Sequence, residues 1–242
     1  MEPRTHAVLE STSRRRKAQK IMRVLELHGW AASGKRVLDI GTGSGEIAQA
    51  FAAAVGAKGS VDTVDVVDQR LLRQGVTFRL VDGPALPYPD DTFDLVLSNH
   101  VIEHVGNYRD QLFHLHEIRR VLRASGICYL ATPNRWAVIE PHFRLPLLSW
   151  LPNRASSAYV RLTRKGEFYD CRMLSGSELE AAPAEAGLLR KEVTSDALTI
   201  FVQVESPSPA VRALSLAPRS LLTRLEKLSP TRIFLLTPGD LP

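Results

Sequence analysis

Cysteine is scarce: the 242 residues contain only Cys128 and Cys171. Two cysteines supply neither a disulfide framework nor a four-ligand metal cluster, which excludes a small disulfide-stapled scaffold and a zinc-finger-like module. Both are expected to be reduced and structural. Long apolar stretches are missing as well. No run of roughly 18 apolar residues occurs, and the N-terminal stretch carries Arg14, Arg15, Arg16 and Lys17 without the apolar centre and small-residue cleavage site of a signal peptide. A soluble cytoplasmic protein is the expectation. Charge of one sign is modest too, at 31 basic against 26 acidic residues for a formal +5, and internal repeats and low-complexity tracts are lacking. That balance reads mostly as solvated surface, but it is unevenly placed. Arg14 to Lys17 form one basic block, and residues 135–172 hold seven basic side chains against three acidic ones. Either cluster could attract a phosphate-bearing partner.

What is present is an alternation of strand and helix signals. A length of 242 residues suits one α/β domain and leaves little for a second core, so the whole of 1–242 is expected to form a single domain. Ile21, Val24, Leu25 and His28 fall at helical spacing before Gly29, which makes residues 1–34 a helical segment ahead of the sheet. Arg36-Val37-Leu38-Asp39-Ile40 reads as a buried strand, followed by Gly41-Thr42-Gly43-Ser44-Gly45 and an alanine-rich helix from Glu46 to Val55 that Gly56 ends. Further strands are expected at 61–67, 76–81, 93–98 and 127–131, with a helix over 110–122. Such alternation implies a largely parallel sheet with crossover helices on both faces. Residues 35–133 make up this core. From Asn134 to Met173 no clean period survives, and the aromatic, basic stretch 134–173 reads as a cap inserted after the fifth strand, over the carboxyl edge of the sheet. The remainder, 174–242, is read as a helix over 177–186, a strand from 190 to about 204, a Pro- and Ser-punctuated helical stretch to 228 and a last strand over 231–236. The total is seven strands in a Rossmann-like α/β fold.

The glycine loop carries the functional signal. Glycines let the backbone turn tightly and approach a ligand without a Cβ in the way. The pattern here is Asp-x-Gly-x-Gly-x-Gly from Asp39 to Gly45. A carboxylate ahead of the first glycine would repel a pyrophosphate and suit an ammonium group. With this loop, Thr63-Val64-Asp65-Val66-Val67-Asp68, Val81-Asp82-Gly83-Pro84 and Asp91-Thr92-Phe93-Asp94-Leu95-Val96 in that order, the chain resembles the class I S-adenosylmethionine-dependent methyltransferases, in the small-molecule subgroup typified by ubiquinone biosynthesis. The resemblance covers residues 35–133. It implies S-adenosylmethionine as cofactor, with Asp39, Gly41, Thr42, Gly43 and Gly45 around its methionine part and Asp65, rather than Asp68, on the ribose hydroxyls. It further implies Val66 beside Asp65, Asp82 and Gly83 at the adenine, and Asn99 on the methionine side. The turn Leu122-Arg123-Ala124-Ser125-Gly126 departs from the family's usual Leu-Lys-Pro-Gly-Gly and touches no implied cofactor contact.

Methyl transfer from a sulfonium needs alignment of the reacting atoms, and a base only when the acceptor is a poor nucleophile. His100 and His104 after the fourth strand and His142 in the cap are the candidate bases. In the ubiquinone-pathway enzymes a Glu-x-x-Glu-His pattern at this place resembles a divalent-metal site. Here His100 replaces the first Glu while Glu103 and His104 remain, a change away from hard oxygen ligands, and no metal is expected. Glu103-His104 could equally just order the loop. His114 and His116 are read as surface or packing residues. The acceptor is expected to be a small or lipid-linked metabolite with an apolar body and an anionic group, methylated on oxygen, with contact to a membrane surface. Trp136, Phe143 and Trp150 are the candidate walls of its pocket, with Arg135 and Arg144 meeting the anion; the alternative for this segment is packing as cap core. Ser98-Asn99-His100-Val101 stands where exocyclic-amine methylases carry Asn-Pro-Pro-Tyr, which counts against nucleic acid. An RNA methyltransferase using the basic blocks and a non-enzymatic cofactor-binding module are the rival readings.

Overall fold

A computed structural model describes residues 11–204 and 229–239. Its centre is a seven-stranded sheet in the order β3-β2-β1-β4-β5-β7-β6. The strands are β1 Arg36–Ile40, β2 Ser60–Asp65, β3 Thr77–Leu80, β4 Phe93–Asn99, β5 Leu122–Pro133, β6 Leu188–Glu192 and β7 Thr231–Pro238. Strands β1 to β5 pair in parallel, and β7 runs antiparallel to both β5 and β6. The helices among the described residues are α1 Ser11–Leu27, α2 Glu46–Val55, α3 Tyr108–Val121, α4 Asn153–Leu162, α5 Gly176–Glu185 and α6 Thr194–Val204.

Side chains that alternate along the central strands separate two cores. Val37, Leu95, Leu97, Tyr129, Ala131, Ile233 and Leu235 pack with Ile21, Val24 and Leu25 of α1, Ile47 and Phe51 of α2 and Ala197 and Ile200 of α6. Their neighbours Leu38, Val96, Cys128, Leu130, Phe234 and Leu236 face the other way, onto Leu115, Ile118 and Val121 of α3 and Leu179 and Ala182 of α5. A strand apolar at every position is what a sheet covered on both faces requires. The seven-stranded, mostly parallel Rossmann-like α/β fold expected from the sequence is therefore the observed one. Among the described residues no helix is long and apolar enough to cross a membrane.

One element differs. The strand expected from 190 to about 204 ends at Glu192, and Thr194 begins α6. Leu198-Thr199-Ile200-Phe201-Val202 has the composition of a strand, but Val193, Ala197 and Ile200 recur at helical spacing and bury themselves in the core shared with α1. Tertiary burial overrides strand propensity here. The expected strand β5 also starts earlier, pairing Leu122 with Phe93 before a register shift. The helical stretch expected over 205–228 lies outside the described residues.

Segment 134–173 separates β5 from α5 and folds on itself. A tight hairpin bridged at Ile139 and Pro146, a short 3-10 turn at Leu148–Trp150 and α4 enclose a small core of Phe143, Leu145, Leu148, Val160, Tyr169, Cys171 and Met173.

Candidate active site

The carboxyl end of β1 turns sharply into α2 through Gly41, Gly43 and Gly45, all with left-handed φ (67°, 53° and 81°). At Gly41 a Cβ would lie 2.6 Å from Val101 Cγ2, and at Gly45 2.8 Å from the Leu72 carbonyl oxygen, so only glycine allows this path. Asp65, closing β2, ties the loop to the sheet. Its Oδ2 accepts from the Gly43 N–H at 2.9 Å and its Oδ1 from the Val66 N–H at 2.7 Å. A carboxylate has about four lone-pair directions, so half-buried Asp65 keeps capacity for further donors. Asp68 instead faces solvent and grips Arg70 with both oxygens at 2.8 and 2.9 Å. Val81 donates its N–H to the Asp65 carbonyl at 3.0 Å, which brings exposed Asp82 and half-buried Gly83 to the same edge. Exposed Val66 follows Asp65, and half-buried Asn99 ends β4.

This crevice holds buried polar atoms without partners: Asp39 Oδ2, Thr42 Oγ1, Ser44 Oγ and Glu46 Oε2. Unmade hydrogen bonds of this kind are costly and concentrate where a polar ligand completes them. Burial raises the Asp39 carboxyl to about 7, with Thr42 and Arg14 pulling the other way and Asp65 adding to the rise. The donor and acceptor set thus suits the amino-acid end of S-adenosylmethionine, whose ammonium would let Asp39 ionise. Arg14 was missed by sequence reading. Half-buried on α1, it lies within electrostatic reach of Asp39 and Glu46, while Arg15 and Arg16 point to solvent. The basic block is consequently not one surface patch. Its division follows α-helical period, but which face turns inward depended on where α1 docks.

Beyond β4 the histidines expected as bases do converge. His100 takes a left-handed φ of 60°, donates its N–H to Ala131 at 2.9 Å, and sets Nδ1 3.2 Å from Glu103 Oε1 and Nε2 3.4 Å from Thr231 Oγ1. Burial lowers its pKa more than Glu103 raises it. His142 arrives from the cap, with Nδ1 2.8 Å from Glu140 Oε1 and Nε2 3.5 Å from Glu103 Oε1. Burial depresses it, but Glu140, Glu103 and Asp170 together prevail and hold its pKa above the ordinary value. The exposed His104 stacks edge-on to His142 at 5.0 Å between ring centres, and its Nδ1 lies 3.9 Å from Cys171 Sγ. Two trios, His100-Glu103-His142 and His104-His142-Cys171, bring ligand-capable atoms within 4.8 Å of each other. Glu103 is fully buried and its Oε2 has no partner. His114 stays apart, buried with Nε2 3.1 Å from Ser98 Oγ and pushed by burial to about 4, a packing role.

The expected pocket walls divide. A cavity of about 310 Å3 lies between the cap and α5, walled by Arg135, Ser149, Tyr169, Cys171, Arg172 and Glu178 among others. Arg135 is on it; Phe143 is cap core at 6% exposure; Trp136, Arg144 and Trp150 face outward. Trp136 and Trp150 stack edge to face at 5.6 Å, and Trp150 Nε1 donates to Ala137 O at 3.1 Å. Of the five residues expected as pocket walls, Arg135 alone lines this cavity, and the others are packed in the cap core or lie at the surface. Apolar identity alone could not separate them. Tyr169, Cys171 and Arg172 were missed because they reach the cavity from the far end of the cap.

Residues 38–130 match the model of the methyltransferase domain family. Over these residues the core is similar to methyltransferase domains. The chain is 32% identical to a ubiquinone biosynthesis O-methyltransferase of Chelativorans sp. (strain BNC1) over 173 residues, 66% of this chain and 61% of that one. It thus spans about three fifths of the length of such curated relatives. Among solved structures, a SAM-dependent methyltransferase from Aquifex aeolicus superposes with a TM-score of 0.51 at 18% identity, over 76% of this chain and 92% of that one. Haemonchus contortus phosphoethanolamine N-methyltransferase 2 in complex with S-adenosyl-L-methionine does so with 0.56 at 17% identity, over 92% and 52%. At such identities the two structures support the methyltransferase fold alone.

Proposed function

We propose that this chain transfers a methyl group from S-adenosylmethionine to a hydroxyl of a small or lipid-linked metabolite bearing an anionic group. The observation that carries the reading is the histidine and carboxylate array at the end of β4, beside the glycine loop. The two are in contact, since Val101, next to His100, packs over Gly41. A hydroxyl is a weak nucleophile that must lose its proton as it attacks, and such an array can take it. The likeness to ubiquinone biosynthesis O-methyltransferases agrees with oxygen as acceptor.

Bound S-adenosylmethionine supplies an electrophilic methyl on a sulfonium. The chain's share is placement: Asp39, Gly41, Thr42, Gly43, Gly45 and Asn99 hold the methionine part, Asp65 the ribose, and Val66, Asp82 and Gly83 the adenine. A histidine near Glu103 would take the hydroxyl proton as the acceptor oxygen attacks the methyl that the cofactor would present. No metal takes part. Arg135 meets the anionic group in the cavity, while the outward tryptophans and Arg144 rest against a membrane surface that presents a lipid-linked acceptor.

Incubating the protein with methyl-labelled cofactor and a fractionated extract of its own organism, then weighing the labelled product, tests this. A labelled O-methyl metabolite is expected. Label entering RNA, or an amine, would overturn it.

A further inference from the structure

We infer that Glu140 is the positioning residue that makes His142 the base of this site, by holding its proton on Nδ1 and leaving Nε2 to take the acceptor's proton. The inference rests on the hydroxyl-acceptor reading above and adds a residue that neither the glycine-loop motif nor the family match reaches.

Three histidines compete for the role, and their surroundings separate them. Both ring nitrogens of His100 are engaged, by Glu103 and by Thr231 of β7, and its desolvation makes it the weaker base. His104 is exposed, and its Nδ1 lies 3.9 Å from Cys171 Sγ. His142 has the shorter carboxylate contact, Nδ1 to Glu140 Oε1 at 2.8 Å against 3.2 Å from His100 Nδ1 to Glu103, with its side chain 9% exposed. That arrangement fixes tautomer and ring angle and stabilises the imidazolium formed when the ring takes a proton.

Glu140 is built for that purpose. Its side chain is fully buried, where an ionised carboxylate is expensive unless each oxygen finds a donor. Both do: Oε1 faces His142 Nδ1, and Oε2 accepts from the Phe143 N–H at 2.6 Å. The backbone is locked as well, since the Glu140 N–H donates to Leu145 O at 3.0 Å and its carbonyl accepts from the Arg144 N–H at 2.8 Å. Phe143, anchored in the cap core, keeps this turn from opening. On the other side of the ring, Glu103 Oε1 lies 3.5 Å from Nε2 and its Oε2 is buried without a partner. That unsatisfied acceptor lies beside the nitrogen that would take the proton, where an acceptor hydroxyl could complete it. The charged and titratable groups around His142 are Glu140 on its own turn, Glu103, His100 and His104 after β4, and Asp170 and Cys171 beyond α4.

Glutamine at 140 cannot replace this carboxylate. Two donors face the side chain, His142 Nδ1–H and the Phe143 N–H, and an amide offers one oxygen with one NH2. If the oxygen stays on Phe143, the NH2 meets His142 and drives its proton to Nε2.

Nitrogen-15 histidine spectra of the full chain, with His142 assigned by its loss in His142→Gln, give tautomer and titration directly and require no acceptor. In the wild type, neutral His142 is expected as the Nδ1–H form, with a midpoint above that of an ordinary histidine. Glu140→Gln should raise the acidity constant of the imidazolium by about tenfold or more, the loss of one charged hydrogen bond, and move the neutral proton to Nε2. A wild-type His142 carrying its proton on Nε2 overturns the inference even if Glu140→Gln fails to fold; so does an unchanged titration in a folded variant. Methyl transfer into the accepting extract fraction supplies a second readout. Since the base acts deprotonated, rate rises with pH through its pKa, and Glu140→Gln should lower the rate and shift that rise to lower pH, with Glu140→Asp restoring part of the shift. A purely structural Glu140 would lower rate and melting temperature together and leave the limb in place. Calorimetry with S-adenosylhomocysteine separates the two readings: a wild type that binds none defeats methyl transfer, while the spectra still decide the pair.

Discussion

The glycine-loop crevice and the cap sit side by side over the same sheet edge and are built on opposite principles. In the crevice, function is carried by backbone: three left-handed glycines and a carboxylate that clamps the Gly43 amide, all inside segments of a few residues. In the cap, the contacts are made by side chains brought from far apart: His142 meets Glu103, and Cys171 meets His104 across 67 positions. A backbone-built site is shared by many enzymes; a side-chain-built one differs from enzyme to enzyme. The contrast teaches why a family match covers residues 38–130 and stops at the cap.

The largest expected effect breaks the cap's half of the site. His142→Ala should lower maximal methyl transfer by about two to four orders of magnitude while S-adenosylhomocysteine affinity by calorimetry stays nearly unchanged. His100→Ala and His104→Ala should cost less than that. Equal losses in all three would mean that the array acts as a unit and that no single ring is the base.

Breaking the crevice should do the reverse. Gly43→Val forces a β-branched residue into a left-handed conformation, at about 1–3 kcal/mol of strain, and displaces the amide that Asp65 holds, so cofactor affinity should fall by about a hundredfold or more. Asp65→Ala should weaken binding by about 1.5–3 kcal/mol, the usual worth of a hydrogen bond to a charged group. Because Asp65 also anchors the loop, Asp65→Asn is the milder change: it keeps an acceptor for the Gly43 N–H but sets its NH2 against the Val66 N–H and the ribose. Unchanged affinity in folded Asp65→Ala would remove Asp65 from the cofactor's binding set.

A smaller effect sharpens the electrostatics. The Asp39 carboxyl is raised to about 7 by burial, so in the free protein it is largely protonated below that pH. A cofactor ammonium favours the ionised form, which lowers this pKa on binding and makes affinity drop as pH falls below about 7. Titrations at pH 6 in buffers of different ionisation enthalpy should reveal proton release on binding, and Asp39→Asn should abolish it. Within the cap, Phe143→Ala should cost about 3–5 kcal/mol of stability, since Phe143 is core, whereas outward-facing Trp150 should cost clearly less. The smallest expected effect is none: turnover should persist in EDTA. Loss restored by added zinc or magnesium would make a metal site of the trios around His142.

Much of this architecture was legible before any coordinates because local rules are strong where the chain is repetitive. Apolar runs at β1, β4 and β5 specify a sheet covered on both faces, and Asp39 to Gly45 specify their own turn through glycine's freedom at positive φ. The failure at α6 has the opposite cause. A segment with the composition of a strand became a helix because its apolar spacing found α1 to pack against, and no local property of the segment names that partner.

The site divides along the same line. The chain's letters alone determined the loop, the acid at the end of β2 and the presence of histidines near the fourth strand, since each depends on a few neighbouring residues and on the period of the structure that carries them. Only the tertiary structure decided that Arg14 turns toward Asp39, that Arg135 rather than Trp136 reaches the cavity, and that His142 meets Glu103. These depend on how the cap and α1 dock on the sheet, a sum of many small contacts over distant residues. The approach of His142 Nε2 to within 3.5 Å of Glu103 Oε1 follows from that docking, so no reading of adjacent residues could supply it.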